Sequence, residues 1–138
     1  MSSNTKGRST PRVVCCAIPI SRSANMVLLV TSRKRPNSWV LPKGGWESSD
    51  GGLDAAASRE ALEEAGVRGT ITRFVTTIHS ASSTYHFYEL DVSTLDQDWL
   101  ESKERRREWV DFAEAARRLA WKAELAQGLA LSSLAPRR

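Results

Sequence analysis

The sequence has few residues that could form disulfides or bind a metal through sulfur or imidazole. It contains two adjacent cysteines, Cys15 and Cys16, and only two histidines. Neighbouring strand residues point to opposite faces, so the cysteines are poor candidates for a mutual disulfide. No Cys/His cluster has the spacing of a zinc site. We therefore expect two small apolar strand residues in a reducing intracellular compartment.

Long apolar segments are also absent. The longest apolar runs, such as residues 26–30, are too short to span a bilayer. The first residues, MSSNTKGRSTPR, lack the apolar stretch of a secretory signal. We expect no membrane association and a cytoplasmic location, with the nucleus as a second compartment.

The remaining composition is that of a globular protein, with 41% hydrophobic and 26% charged residues in a chain of 138. This length predicts one domain with a hydrophobic core. We expect it to cover residues 12–134, between a flexible tail at 1–11 and a short tail at 135–138. The net charge of +4 favours an anionic partner such as phosphate, nucleotide or nucleic acid.

Hydrophobic patterning predicts an α+β fold, with a mixed β-sheet between helices in an α/β/α sandwich. A glycine-rich loop at 44–52 precedes a helix at 55–65, with Asp54 as its N-cap and Gly66 as its stop. A last helix is expected from Phe112 or Ala113 to Leu131, with a break near Gly128. The expected strands cover residues 13–20, 26–32, 39–42, 70–80 and 84–92.

Three glutamates crowd one turn of the helix at 55–65. Glu60, Glu63 and Glu64 share one face, which we expect to point away from the apolar stripe that packs on the sheet. Like charges this close destabilise a helix and raise one another's pKa. A hard cation such as Mg²⁺ reverses this effect, and Arg59 can orient a carboxylate. The spacing alone leaves two interpretations open, a metal site and a solvated acidic face.

The stretch from Gly45 to Val67 resembles the Nudix box, G-x5-E-x7-R-E-U-x-E-E-x-G-U, where U is a bulky apolar residue. Gly45 fits the first glycine, and REALEEAGV (59–67) fits the second half, with Ala61 a small residue at its U position. One position departs from the pattern, because Gly51 stands where the box has its first glutamate. Asp50 and Glu47 are the acids nearest to it.

Nearly the whole domain, about residues 12–134, is similar to diphosphoinositol polyphosphate phosphohydrolases, particularly fungal-type ones. The similarity lies in VLLVTSRKRPNSWVLPKGG, EEAGVRGT, RRREWVDFAEAARRL and WKAEL. It implies hydrolysis of a diphosphate with Mg²⁺, or Mn²⁺ in its place. The partner is then a small polyphosphorylated molecule, with no stable nucleic-acid partner and with a monomeric protein favoured.

The resemblance also implies roles for individual residues. Glu60 and Glu64 would be direct metal ligands, together with the backbone carbonyl of Lys43 or Gly44. Glu63 would be the general base or the ligand of a second metal, and Arg59 would hold the carboxylates. Substrate phosphates would meet Arg12, Ser32, Arg33, Lys34, Arg35, Lys43, Gly44, Gly45, Arg105 and Lys122.

Other functions remain open at this point. The same chemistry can act on diadenosine polyphosphates or inorganic polyphosphate, or on an RNA cap or damaged nucleotide. A nucleotide site should offer aromatic rings for stacking, whereas an inositol phosphate site should offer mostly Lys and Arg. A different class is a Nudix fold that binds inositol phosphates or RNA without hydrolysis. The presence of Glu60, Glu63 and Glu64 counts against that class, and Gly51 favours it.

Overall fold

A computed structural model describes residues 10–137. Most of the expected N-terminal tail, residues 1–9, lies outside this part of the chain, as does residue 138. The helices in the described part are α1 (Leu53–Ala65), α2 (Phe112–Leu119) and α3 (Ala123–Ala130), and a short 3-10 turn covers Ser48–Asp50. The strands are β1 (Arg12–Ser21), β2 (Met26–Thr31), β3 (Trp39–Val40), β4 (Lys43–Gly45), β5 (Val67–His79), β6 (Ser83–Leu95) and β7 (Arg107–Val110).

The strands form one mixed sheet in the order β3-β2-β1-β6-β5, with β4 paired to β1 and β7 paired to β2. The β1–β6 pair is parallel and the β1–β2 and β5–β6 pairs are antiparallel. Strand β1 is central because its apolar run 14–18, which includes both free cysteines, is buried. Helix α1 packs on β1 and β5, and Gly128 of α3 meets Phe87 of β6. The α+β prediction, a mixed sheet between helices, is confirmed.

The start of α1 differs from the prediction, whereas its end agrees. Gly52 is the N-cap, without a side-chain bond, and Asp54 lies inside the first turn. There the carboxylate of Asp54 accepts a hydrogen bond from the backbone N–H of Ala55 and faces the positive end of the helix dipole. Gly66 ends the helix with φ +67°, a left-handed conformation that favours glycine.

The expectation that the carboxylate face of α1 points away from the packing surface is wrong. Glu60 and Glu64 are only 9% and 5% exposed, almost as buried as the alanine stripe at 57, 61 and 65. The reason is β4, which pairs with β1 and lies against this side of α1. The predicted glycine-rich loop thus begins as a strand, in which Gly44 leaves room for the carboxylate of Glu60.

The C-terminal helix breaks earlier than predicted. It ends at Leu119 and resumes at Ala123, whereas Gly128 lies inside α3. A tight turn forms at the break, where the N–H of Lys122 donates to the carbonyl of Leu119 at 3.0 Å. The indole N–H of Trp121 in this turn donates to the carbonyl of Trp39 at 2.9 Å. The break therefore places Trp121 beside β3, and Lys122 near Tyr85 of β6.

Candidate active site

Two carboxylates of α1 lie against the backbone of β4. A Cβ added to Gly44 would lie 2.1 Å from one carboxylate oxygen of Glu60, so only a glycine leaves Glu60 in this position. One turn further along α1, a carboxylate oxygen of Glu64 accepts a hydrogen bond from the backbone N–H of Lys43 at 3.2 Å. The backbone of β4, together with the absent side chain at Gly44, thus positions both predicted metal ligands.

Arg59 joins the loop to the helix carboxylates. Its Nε and one terminal nitrogen donate to the two oxygens of Asp50 at 2.7 and 2.8 Å. The same terminal nitrogen donates to the carbonyl of Gly45 at 2.9 Å. The other terminal nitrogen reaches Glu60 at 3.1 Å and Glu63 at 3.4 Å. The bidentate pair with Asp50 fixes the guanidinium in one orientation.

The loop acid is therefore Asp50, one residue before the position where the box has glutamate. Hydrogen bonds from Arg59 lower the pKa of Asp50 to about 2, so its carboxylate is charged at neutral pH. Gly51 is exposed and has φ +81°, a conformation that suits glycine. The 3-10 turn at 48–50 brings Asp50 to Arg59, a contact that the linear pattern does not reveal.

The helix carboxylates repel one another in the absence of a cation. Burial raises the pKa of Glu64, and the neighbouring Glu60 raises it further, although Arg105 opposes the rise. Burial also raises the pKa of Glu63, and Glu60 adds to this effect. Three charged glutamates on one turn are thus unfavourable by themselves, as the sequence indicates, and a positive charge between them would relieve the repulsion.

The three glutamates line a cleft of about 610 Å³ whose other walls are rich in cations. The predicted substrate residues that line it are Arg12, Ser32, Arg33, Lys34, Arg35, Lys43, Gly44, Arg105 and Lys122. Gly45 is the exception, because it lies beside the cleft and its carbonyl accepts from Arg59. The cleft therefore brings together nearly all the residues that the resemblance implied.

The protein itself occupies the donors of Arg105, as it does those of Arg59. It pairs with Glu101 at 2.7 Å, donates to the carbonyl of Thr31 at 2.8 Å and lies 3.4 Å from Glu64. By contrast, five cations of the cleft have no acidic partner among the described residues. These are Arg12, Lys34, Arg35, Lys43 and Lys122.

Several lining residues were not predicted from the sequence. Tyr85 faces the cleft from β6, where the two-residue alternation that it shares with buried Phe87 gives a weak signal. Trp121 enters through the helix break, for which the sequence has no local signal. The others are Val14, Val40, Glu47, Ser83 and Glu101.

The donor set suits a hard divalent cation. Between residues 10 and 137, no three acidic, histidine or cysteine side chains already converge as a metal site. Mg²⁺ does not need such a cage, because it commonly takes one or two carboxylates, water and substrate phosphates. Glu60 and Glu64 supply two adjacent buried carboxylates, and the absent side chain at Gly44 leaves space beside them. The residues of this site therefore fit a bound Mg²⁺ ion.

The fold agrees with comparisons to known proteins. The NUDIX domain profile matches residues 10–130, so the chain belongs to the Nudix family. A NUDIX hydrolase structure from Nitrosomonas europaea superposes with a TM-score of 0.71 at 28% identity, over 88% of this chain and 69% of that one. A second superposes at 0.73 with 22% identity and supports the fold alone.

Curated relatives come from plants and animals. Nudix hydrolase 21, chloroplastic, of Arabidopsis thaliana is 38% identical over 95 residues, which are 64% of this chain and 48% of that protein. Diphosphoinositol polyphosphate phosphohydrolase 3-alpha of Homo sapiens is 36% identical over 111 residues, 75% of this chain and 65% of that protein. The chain thus spans about half to two thirds of the length of these relatives.

Proposed function

We propose that the protein hydrolyses the diphosphate bond of diphosphoinositol polyphosphates with Mg²⁺, releasing inositol polyphosphate and phosphate. The observation that carries this proposal is the cleft itself. Its floor holds Glu60, Glu63 and Glu64, and its walls carry five cations without acidic partners among the described residues. A compact, highly charged polyphosphate matches such a wall better than a neutral substrate does.

The side chains divide the chemical work. Glu60 and Glu64 would hold Mg²⁺, which supplies neutralisation of charge on the phosphoryl oxygens when bound. Arg59, fixed by Asp50, keeps Glu60 and Glu63 in place. Glu63 is the most exposed of the three glutamates, with a side chain 33% exposed, and its raised pKa suits a group that takes a proton from water. The cations of the wall bind the other phosphates.

The basic wall favours inositol phosphates over dinucleotides. Eight of the lining residues are Lys or Arg, and two are aromatic, Tyr85 and Trp121. The rings nevertheless keep diadenosine polyphosphates as a second candidate, because a base can stack on an exposed indole. A small soluble substrate requires neither a nucleic-acid partner nor an oligomer, and we propose a monomer. None of the helices described in residues 10–137 is long and apolar enough to cross a bilayer.

We propose a cytoplasmic protein, with the nucleus as a second compartment. Relatives named chloroplastic and mitochondrial occur in Arabidopsis thaliana, so the family is found in several compartments. Imaging the full-length protein with a tag at either end would decide the location.

Hydrolysis can be tested on two substrates. The purified protein is incubated with 5-diphosphoinositol pentakisphosphate and with diadenosine hexaphosphate, with and without Mg²⁺. We expect Mg²⁺-dependent phosphate release from the first. Glu64→Gln should lower the rate about 100-fold, the scale of one lost electrostatic contact to a transition state. Glu104→Gln, an exposed change outside the cleft, should leave the rate unchanged.

The outcomes separate the candidate functions. Cleavage of the dinucleotide alone would reject the inositol assignment and favour the second substrate. Cleavage of neither substrate, with tight binding of inositol phosphates, would indicate a binding module. Equal rates for the parent and Glu64→Gln would show that the proposed metal ligand is wrong.

A further inference from the structure

Trp121 lines the cleft, yet the proposed chemistry gives it no role. It lies in the break between α2 and α3, and the residue is 42% exposed. The guanidinium carbon of Arg35 lies over its ring, 5.2 Å from the ring centroid. This geometry is that of a cation–π contact between the helix break and the loop that follows β2.

We propose that Trp121 is a positioning residue that holds Arg35 over the cleft, where its guanidinium meets a phosphate of the substrate remote from the hydrolysed bond. This inference rests on the proposed function, because it requires a polyphosphorylated ligand. It assigns Trp121 to substrate binding through Arg35, and not to stacking on a base.

An aromatic ring is well suited to this task. Arg35 is exposed and has no acidic partner among the described residues, so a free side chain would lose rotamer freedom on meeting a phosphate. A carboxylate would hold the guanidinium but would also cancel its charge. An indole face holds the guanidinium and leaves its charge and its N–H donors available.

Trp121 is itself anchored by the fold. Its indole N–H donates to the carbonyl of Trp39, whose ring makes contacts with two guanidinium groups. The guanidinium carbons of Arg106 and Arg118 are 5.8 and 4.8 Å from the ring centroid of Trp39. Arg118 is fixed in turn by a bidentate pair with Glu108 at 3.0 and 3.1 Å. The ring of Trp121 is thus held in place by Trp39, which is itself fixed by Arg106 and Arg118.

The backbone of Arg35 is also held. The N–H of Ser38 donates to the carbonyl of Arg35 at 2.8 Å, which closes a turn with Pro36 at its second position, where proline is favoured. The N–H of Arg35 donates to the hydroxyl of Ser32 at 3.2 Å. With the backbone fixed, the ring has only the side chain of Arg35 to order.

A second cation–ring pair lies beside the first. The ammonium of Lys122 is 5.9 Å from the ring centroid of Tyr85, and both residues line the cleft. The helix break therefore places Lys122 near the ring of Tyr85 and the ring of Trp121 near Arg35. This repetition supports a prearranged cationic wall over a chance contact at Trp121.

A double-mutant cycle tests the inference. The changes are Trp121→Leu, Arg35→Gln and both together, with affinity for inositol hexakisphosphate measured by calorimetry. We expect Trp121→Leu to weaken binding about three- to fivefold, as the loss of one exposed cation–π contact implies. In the Arg35→Gln background the same change should have almost no effect. Trp121→Phe, which keeps a ring face, should retain most of the affinity.

Charge and folding need separate controls. Arg117→Gln removes an arginine that pairs with Glu114 and does not line the cleft, and it should bind the probe as the parent does. Thermal melts of every variant exclude unfolding. With 5-diphosphoinositol pentakisphosphate as substrate, Trp121→Leu should raise KM and leave kcat unchanged.

The outcomes distinguish this inference from the proposed function. Additive effects of the two changes, or a fall in kcat with unchanged KM, would overturn the proposed role of Trp121. The proposed hydrolysis would stand. A coupled cycle without hydrolysis of the diphosphate would support the role of Trp121 and reject the proposed reaction. Failure of the parent to bind the probe would overturn both.

Discussion

At Gly44 the lack of a side chain is a requirement of the site. A methyl group there would meet the carboxylate of Glu60, which is the far end of a flexible side chain. In Gly44→Ala we therefore expect Glu60 to move and the fold to persist. Magnesium affinity and phosphate release should each fall about 10- to 100-fold, as when the support of a metal ligand is lost. Calorimetry with Mg²⁺ and a phosphate-release assay measure the two effects.

Gly45→Ala is the matched control for this change. The nearest atom to a Cβ at Gly45 is the carbonyl oxygen of Val13 at 4.0 Å, an ordinary contact. This variant should keep its magnesium affinity. Equal losses in the two variants would show that the glycines matter for the strand and not for the space beside Glu60.

Asp50 is the residue that the sequence pattern does not identify. Its two oxygens hold Arg59, which contacts Glu60 and Glu63 in turn. Asp50→Asn keeps the shape but removes the charge, so Arg59 should lose its fixed orientation. We expect kcat to fall about tenfold, the scale of a lost supporting contact.

Glu47→Gln provides the comparison for Asp50. The carboxylate of Glu47 lies 3.6 Å from Arg59 and is 62% exposed. An exposed pair of this kind contributes little, so kcat should change less than twofold. A larger effect at Glu47 than at Asp50 would contradict the assignment of the loop acid.

Gly128 shows how packing on an element can outweigh helix propensity. Alanine is favoured over glycine inside a helix by about 1 kcal/mol. A Cβ at Gly128 would nevertheless lie 2.3–2.5 Å from ring carbons of Phe87, which is fully buried. We expect Gly128→Ala to lower the free energy of unfolding by about 1–3 kcal/mol through overpacking. Chemical denaturation measures this change.

Ala126→Gly, elsewhere in α3, is the control. It removes helix propensity without adding volume and should cost about 1 kcal/mol. If Gly128→Ala were more stable than the parent, the close approach of α3 to Phe87 would be wrong. A normal affinity for inositol hexakisphosphate in Gly128→Ala would show that the effect is confined to stability.

The elements that the sequence predicted are those with local signals. The apolar runs mark β1 and β2, and Gly66 marks the end of α1. The break at 120–122 has no such signal, because it depends on a hydrogen bond between Trp121 and Trp39, 82 positions apart. The burial of Glu60 was missed for a similar reason, since it depends on how β4 pairs with β1.

Across the whole molecule, the charges are segregated by function. The arginines of α2 are paired with carboxylates, as Arg118 is with Glu108 and Glu114. The cleft instead keeps cations without acidic partners in the described part of the chain. The resemblance to a family predicted most of the basic residues that line the cleft. It could not show which of them, such as Arg105, would be occupied by the protein.

A further buried carboxylate, outside the cleft, joins segments that are distant in the sequence. The side chain of Glu89 is fully buried and accepts from Arg22 at 2.8 Å and Arg73 at 2.6 Å. It also accepts from the backbone N–H and the hydroxyl of Ser133 at 2.6 and 2.8 Å. Glu89 thereby joins β6 to the end of β1, to β5 and to the segment after α3.

This network predicts how stability depends on pH. Burial raises the pKa of Glu89, but the bonds from Arg22, Ser133 and Arg73 outweigh it, so the pKa is lowered on folding. A lowered pKa contributes stability above the ordinary glutamate value, and this contribution is lost as pH falls through the folded-state pKa. Glu89→Gln should therefore be less stable than the parent by about 1.5–3 kcal/mol at pH 7, from the loss of bonds to a charged group.

Denaturation at several pH values tests the sign of this effect. The difference between the parent and Glu89→Gln should shrink below about pH 4, where an ordinary glutamate is already at least half protonated. Glu108→Gln, an exposed partner of Arg118, should change stability by less than about 1 kcal/mol at every pH. A gap between the parent and Glu89→Gln that grew as pH fell would mean that Glu89 folds in its protonated form. The three segments would then be joined by neutral hydrogen bonds and not by a buried charge.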